Sequence, residues 1–471
     1  MRKTKIICTL GPACDNVDML CNLLKAGMDA ARFNFSHGTH ESHLEQLQKL
    51  REACEKTGLS VATILDTKGP EIRIGTFENG CVTLGNGEMF TLTRDDIPGN
   101  EKHVSVTYPK LAQELHPGDR ILVDDGLIDL RVDHFDGADV VCVVGTGGPL
   151  SNNKSINIPD VKIALPGLTS RDRSDIKFAA DNDFDYIAIS FVRSADDVNA
   201  VRNLLTSFGN SDIRLISKIE NREGVNNLDS IIAASDGIMV ARGDLGVEIP
   251  MQEIPPLQKE MIKKGVICGM PVIVATQMLD SMIRNPRPTR AEVSDVANAV
   301  FDYASCVMLS GETAAGKYPV QALSAMVNTV NEAEKHIDYR KRFTDEDFVI
   351  GQDITNAISR ACCMTSFGLK ADAIISVTHS GNTARMISRF KPECVICATT
   401  ASKKVCRQLR LSWGVYPTMT DTEENTDLLI EQSVQAGKNA GIIKNGDLVV
   451  ITAGVPAGIS GTTNLIKAMV V

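Results

Sequence analysis

The run "IRLISKIE", residues 213–220, decides how the rest of the chain is read. It is short, dominated by isoleucine and leucine, and ends in charge. An apolar run of this length with no alternation fits a strand buried on both faces, as in a parallel sheet. Side chains two apart in a strand share a face, so Lys218 and Glu220 point one way while Ser217 and Ile219 point the other. Opposite charges together at the end of an apolar strand need a partner, water or a ligand. Two readings stand at this point: an internal ion pair, or a metal-binding carboxylate beside a catalytic cation.

Working outward, similar runs recur on both sides. "TKIICTL" (4–10), "DAARFNFS" (29–36), "VATILDT" (61–67) and "DYIAISF" (185–191) come before it. "GIMVARG" (237–243), "PVIVAT" (271–276) and "CVMLS" (306–310) come after it. Amphipathic segments such as "ESHLEQLQKLREACEKTG" and "SADDVNAVRNLLTSFG" lie between them and read as helices. Strand then helix, eight times, predicts a (β/α)8 TIM barrel in preference to an open doubly wound sheet.

One stretch breaks the alternation. Residues 70–166 carry short strand-like runs punctuated by Asn-Gly, Pro-Gly-Asp and Asp-Gly turns. They predict a β-rich lid domain inserted after the third barrel strand, on the face where barrel active sites form. The barrel then takes residues 1–69 and 167–342, with a charged linker "HIDYRKRFTDEDFVIGQD" at its end. Residues 343–471 read as a third, open α/β domain.

A length of 471 residues suits two or three domains. Aromatic residues are only 4%, so the core must be built from aliphatic and small side chains. A net charge of −10 disfavours nucleic acid and anionic membranes as partners, while leaving room for an anionic substrate in a local basic pocket. The 13 cysteines have no spaced framework, which predicts reduced thiols and a cytoplasmic location. Cys394 and Cys397 form a C-x-x-C, but their run reads as a buried strand and no second pair completes a zinc site. The apolar run in "MRKTKIICTLGP" is too short to be expected to act as a signal peptide, and no run of about 18 apolar residues that would span a membrane appears in the sequence.

Barrel active sites collect at the C-terminal ends of strands. Strand two ends in Arg32, Asn34 and Ser36, which share a face. Strand three ends in Asp66, Thr67 and Lys68, with Glu71 and Arg73 just beyond. Strand five ends in Lys218 and Glu220, strand six in Arg242, Gly243 and Asp244. Thr276 and Gln277 follow strand seven, and Ser310 and Glu312 follow strand eight. Any one strand-end polar residue is as well explained as a helix cap. Six of eight ends carrying such groups on one barrel face point to a site. Glu220 and Asp244 offer hard oxygens that suit Mg²⁺ or Mn²⁺. Lys218 is a fixed cation where negative charge develops. Arg32 and Arg73 are forks for phosphate or carboxylate. Asn34, Ser36, Asp66 and Thr67 could hold a monovalent cation or form an ordinary hydrogen-bond network. No Walker A or protein-kinase signature is present. Phosphoryl transfer and enolate chemistry are the two classes these groups suit.

The segments "RFNFSHG", "LDTKGPEIR", "ISKIEN", "GIMVARGDLGVEIP", "ATQMLDSMIRNPRPTRAEVSDVANAV" and "MLSGETAAGKYP" together resemble the pyruvate kinase family, collinearly and over nearly the whole chain. The resemblance is to members of bacterial type without the extra C-terminal domain. It implies a barrel, an inserted lid and a C-terminal regulatory domain, and transfer of phosphoryl from phosphoenolpyruvate to ADP, giving pyruvate and ATP. It implies Mg²⁺ (or Mn²⁺) on Glu220 and Asp244, and K⁺ on Asn34, Ser36, Asp66 and Thr67. Lys218 would stabilise the moving phosphoryl group and the enolate. Arg32, Gly243, Asp244 and Thr276 would contact substrate, with Thr276 near the proton delivered to the enol carbon, as donor or beside one. Arg73 and Lys154 would meet the nucleotide. Glu71 matches the members that need K⁺, in contrast to those with lysine there. The family is usually homotetrameric.

In the third domain, "SVTHSGNTAR" (376–385) sets hydroxyls and backbone donors between a strand and a helix, which predicts a phosphate cradle from Thr378, Ser380, Asn382 and Thr383. Ordinary helix capping explains the same residues. A second Gly-rich turn, "AGVPAGISGTTN" (453–464), is expected nearby. In pyruvate kinases such loops bind phosphorylated allosteric effectors. Two other functions stay open at this stage: a different metal-dependent enolate enzyme on the same barrel, and a silent sugar-phosphate sensor.

Overall fold

The computed structural model describes residues 1–344, 353–423, 425–455 and 463–471. Eight strands close a barrel in chain order: Lys5–Thr9, Ala30–Asn34, Ala62–Asp66, Tyr186–Ile189, Arg214–Ile219, Gly237–Ala241, Val272–Ala275 and Cys306–Leu309. Each is parallel to the next, and the last pairs with the first through Lys5↔Cys306 and Ile7↔Met308. All eight predicted runs are strands of this barrel.

The βα units follow from local chemistry. The helices Val17–Ala26, His40–Thr57, Ser170–Asp181 and Arg290–Phe301 start behind Asn16, Thr39, Thr169 and Thr289, whose side chains accept from backbone N–H groups of the first turn. Leucine, isoleucine and valine on their inner faces pack against the outer faces of the strands. The barrel interior is filled by Ile7, Ile64, Tyr186, Ile216, Met239, Ile273 and Met308, with alanines where strands crowd. Each fully buried aliphatic side chain here contributes about 1.5–3 kcal/mol, which is how a core with few aromatics suffices.

Between strands three and four the chain leaves to build a seven-stranded sheet and a two-stranded ribbon. This unit has its own core of Ile121, Val123, Leu130, Val140, Phe90 and neighbours. The exit turn is anchored at Gly69. Its φ is +72°, and a Cβ there would lie 2.8 Å from both Ser190 and Phe191, so only glycine fits.

The C-terminal unit is a five-stranded sheet in the order Val415–Met419, Val395–Thr400, Ala373–Val377, Leu448–Gly454, Thr463–Val470. Only the last strand is antiparallel. This unit plugs the barrel floor. Leu411 joins the barrel's interior cluster, the Tyr186 hydroxyl donates to the Gln408 carbonyl at 2.7 Å, and Lys5 Nζ donates to the Val415 carbonyl at 2.6 Å. Among the described residues no helix is long and apolar enough to cross a membrane. All 13 cysteines are unpaired thiols.

Candidate active site

At the C-terminal mouth of the barrel, Lys218 and Glu220 do face the same way. Lys218 Nζ lies 2.9 Å from Glu220 Oε1 and 3.1 Å from Asp66 Oδ1, and donates to Ser190 Oγ at 2.7 Å. Asp66 and Glu220 are fully buried. Arg32 closes the other side of Asp66, with Nε 2.6 Å from Oδ2 and Nη1 3.1 Å from Thr9 Oγ1. The four charges form one buried chain: Arg32, Asp66, Lys218, Glu220.

The electrostatics follow from this packing. Burial works against charge on Lys218, but Asp66, Glu220 and Asp244 outweigh it and hold its pKa above the ordinary lysine value. Burial also works against charge on Asp66, and Arg32 and Lys218 reverse that, holding the carboxyl below the usual range. Glu220 goes the other way: burial raises its pKa, Lys218 opposes the rise, and the facing Asp244 adds to it. A carboxylate in that position gains most from one more positive charge.

Glu220 Oε2 accepts the Phe191 N–H at 2.6 Å. Phe191 has φ +54°, an uncommon conformation that aims its amide at the carboxylate. Oε1 is ion-paired with Lys218 Nζ at 2.9 Å. Asp244 sits in the first turn of the helix Arg242–Glu248, directly after strand six. No set of three or more His, Cys, Asp or Glu side chains among the described residues is arranged as a metal cage. The donor set is therefore two hard carboxylates, Glu220 and Asp244, with the charge of Asp244 felt at Glu220. That fits a divalent cation completed by substrate oxygens and water.

The remaining candidates fall around this chain of charges. Asn34 and Asp66 are register partners on strands two and three. Asn34 Oδ1 accepts the Ser36 N–H at 3.2 Å, Thr67 Oγ1 accepts the Ser190 N–H at 3.1 Å, and the Thr67 carbonyl accepts from Ser190 Oγ at 2.6 Å. Gly243 N–H donates to Thr276 Oγ1 at 2.8 Å, and that hydroxyl donates to the Ala275 carbonyl at 2.6 Å. Arg73 is bound to Glu71 Oε2 at 2.8 Å and to the Asn153 carbonyl at 2.7 Å. Lys154, on the lid, pairs with Asp124 at 2.8 Å.

A cleft of about 540 Å³ lies between lid and barrel mouth, lined among others by Glu71, Arg73, Asn157, Arg222, Asp244 and Glu248. Polar contacts cross it: Asn157 Nδ2 donates to Glu248 Oε1 at 3.0 Å, Lys162 Nζ lies 3.2 Å from Glu223, and Arg193 Nη1 donates to the Leu165 carbonyl at 2.9 Å.

The C-terminal loop is more self-satisfied. Thr378 Oγ1 accepts the Gly381 N–H at 3.0 Å, the Ser380 carbonyl accepts from Arg385, and the Thr383 hydroxyl meets that of Thr463 at 2.8 Å. Asn382 opens the helix Asn382–Ser388 and is half-buried. The Thr383–Thr463 contact brings the two Gly-rich segments side by side. Residues 456–462 of the second lie outside the described residues.

Two contributors escaped the reading of the sequence. Ser190, at the end of strand four, ties Lys218, Thr67 and Asp66 together. The Phe191 amide is a backbone donor, invisible to side-chain reasoning. Strand position alone marks Ser190, since it ends "YIAIS" as Lys218 and Glu220 end strand five.

Comparison with known proteins agrees with this architecture. The family model described as pyruvate kinase, barrel domain, matches residues 1–323, and that described as pyruvate kinase, alpha/beta domain, matches residues 356–469. A pyruvate kinase of Geobacillus stearothermophilus is 48% identical over 472 residues, spanning 100% of this chain and 80% of its own length. One from Clostridium acetobutylicum is 46% identical over 472 residues, spanning 100% of both. A crystal structure of a pyruvate kinase from Cryptosporidium parvum superposes with a TM-score of 0.95 at 40% identity, covering 100% of this chain and 96% of that one. The chain belongs to the pyruvate kinase family of phosphotransferases.

Proposed function

We propose that this protein transfers the phosphoryl group of phosphoenolpyruvate to ADP, yielding pyruvate and ATP in glycolysis. The observation that carries the reading is the buried chain Arg32–Asp66–Lys218–Glu220 at the barrel mouth, beneath a lid cleft. Glu220 and Asp244 would hold Mg²⁺ or Mn²⁺, which when bound draws negative charge from phosphate oxygens. Lys218, kept protonated by its carboxylates, neutralises charge as the phosphoryl group leaves and the enolate forms. Arg32 keeps part of its guanidinium for the substrate phosphate while its Nε remains on Asp66. Gly243 and Thr276 border the substrate at the ends of strands six and seven. The lid, through Arg73 and Lys154, meets the nucleotide phosphates, exchanging their present partners Glu71 and Asp124 for the ligand.

K⁺ activation is part of the proposal. Asn34, Ser36, Asp66 and Thr67 would supply its oxygens, and Glu71 leaves the cleft without the fixed cation a lysine would provide. A phosphorylated effector at Thr378, Ser380, Asn382 and Thr383 is the regulatory counterpart. The last strand, Thr463–Val470, leaves one edge without a strand partner among the described residues, which supports assembly into a homotetramer. The unpaired thiols support a cytoplasmic setting.

Pyruvate formation from phosphoenolpyruvate, coupled to lactate dehydrogenase, tests the reading. Turnover that requires ADP, a divalent metal and K⁺ upholds it. Pyruvate formed without ADP would replace it with an enolate-type reaction.

A further inference from the structure

Arg242 follows strand six and Thr276 follows strand seven, side by side because Ala241 and Ala275 are register partners. Thr276 has φ +66° and Gln277 φ +53°, two consecutive non-glycine residues in the left-handed region, the first of them β-branched. Such conformations persist only where the surroundings hold them. The guanidinium of Arg242 does so. Its Nη2 donates to the Thr276 carbonyl at 2.7 Å and lies 2.9 Å from Met278 Sδ, and its Nε reaches the Ala275 carbonyl at 3.4 Å. Its Nη1 is anchored 2.7 Å from Asp295, on the helix Arg290–Phe301. The side chain is only 10% exposed. The amide of the next residue, Gly243, binds the Thr276 hydroxyl. A planar fork is needed to address carbonyl, sulfur and carboxylate at once, and a lysine ammonium does not have that geometry.

We propose that Arg242 is a positioning residue for the proton-transfer half of the reaction: it fixes Thr276 where the new C–H bond of pyruvate forms. This rests on the phosphoryl-transfer reading above. Arg242 makes its contacts with protein, so it acts through Thr276 and has no part in moving the phosphoryl group.

The test compares wild type, R242A, R242K and D295N by two readouts on metal- and K⁺-loaded enzyme. One is single-turnover ATP formation from phosphoenolpyruvate and ADP. The other is exchange of pyruvate methyl protons with D₂O in the presence of ATP, followed by NMR. For R242A the exchange rate should fall about a hundredfold, as for misplacement by about 1 Å, with ATP formation held within about threefold. R242K and D295N should show the same split at about tenfold, and added guanidinium should restore part of the exchange by R242A. Should R242A fail to fold, R242K and D295N carry the comparison. Equal loss in both readouts, or unchanged exchange, overturns the proposal. Absence of ADP-dependent ATP formation by wild type overturns the reaction reading itself and the inference with it.

Discussion

Two buried lysines sit at opposite ends of the same barrel, and they are treated in opposite ways. Lys218, at the mouth, has Asp66 and Glu220 within about 3 Å and is held charged. Lys5, at the floor, has its nearest carboxylate, Asp29, at 4.0 Å, with Arg410 and Arg2 also close. Burial pulls its pKa down to about 8, and the two arginines add to this against Asp29. The floor lysine is compensated by neutral partners, the Val415 carbonyl at 2.6 Å and the Tyr416 ring at 4.1 Å. Burial alone therefore says little about a lysine's role. What surrounds it separates a group prepared for chemistry from one that docks a neighbouring domain.

The sharpest way to break this contrast is to remove the carboxylate that both mouth cations share. Asp66→Ala takes from Arg32 its carboxylate and leaves Lys218 to Glu220, and should cost about 3–5 kcal/mol in denaturant unfolding. A loss below about 1 kcal/mol, the level of a surface pair, would mean the mouth cluster is no more than a solvated ion network. Next comes Lys218→Met. It should keep phosphoenolpyruvate binding and lose about 10²–10³ in kcat, the scale of a lost transition-state donor. Survival of kcat within about tenfold of wild type would reduce Lys218 to a structural ion.

A smaller effect sharpens the picture of the mouth. Glu71→Lys places a fixed cation in the cleft, so the ratio of activity with and without K⁺ should shrink. An unchanged ratio argues that Glu71 only orients Arg73.

Lys5→Met should have the smallest effect, and it shows in pH dependence. The folded pKa of Lys5, about 8, lies below its ordinary 10.5. A depressed lysine pKa means that folding releases a proton. The contribution of Lys5 is therefore fully present only above the unfolded value and is lost as pH falls through about 8. Denaturation midpoints at pH 7 and pH 9 should show Lys5→Met ahead of wild type at pH 7, with that advantage shrinking by up to about 1.4 kcal/mol per pH unit. Activity should change little. A constant difference across pH would show that Lys5 stays charged at the floor.

The barrel was legible because its strands are buried on both faces, so each reads as an unbroken apolar run such as "VATIL" or "PVIVA" regardless of neighbours. The charged strand ends were legible for the complementary reason: an apolar run that stops at Lys218 or Asp66 has no structural need for them. Ser190 was missed because a serine ending a strand is unremarkable until Lys218 from the next strand arrives beside it. Arg242 was visible as a charge, but its carbonyl partners depend on positive φ angles at Thr276 and Gln277 that the residue types disfavour. Thr378 and Thr383 looked alike in sequence, and yet their hydroxyls are committed to Gly381 and Thr463. A polar loop does not reveal from its sequence which groups it spends on itself.

The insertion of the lid between strands three and four has a consequence for how the chain folds. Those two strands must pair across a separation of 122 residues, as Thr63 does with Asp185. If that span were unstructured, closing it would carry the full loop entropy, which grows slowly but steadily with length. The span is instead a unit with its own core, which can collapse first and deliver its two ends together. Barrel closure then joins two nearby points rather than the ends of a long coil. The order of events should be lid before barrel, and slowing the lid's own collapse, by truncating Val123 or Leu130 in its core, should slow formation of the mouth cluster 
without touching a single residue of it.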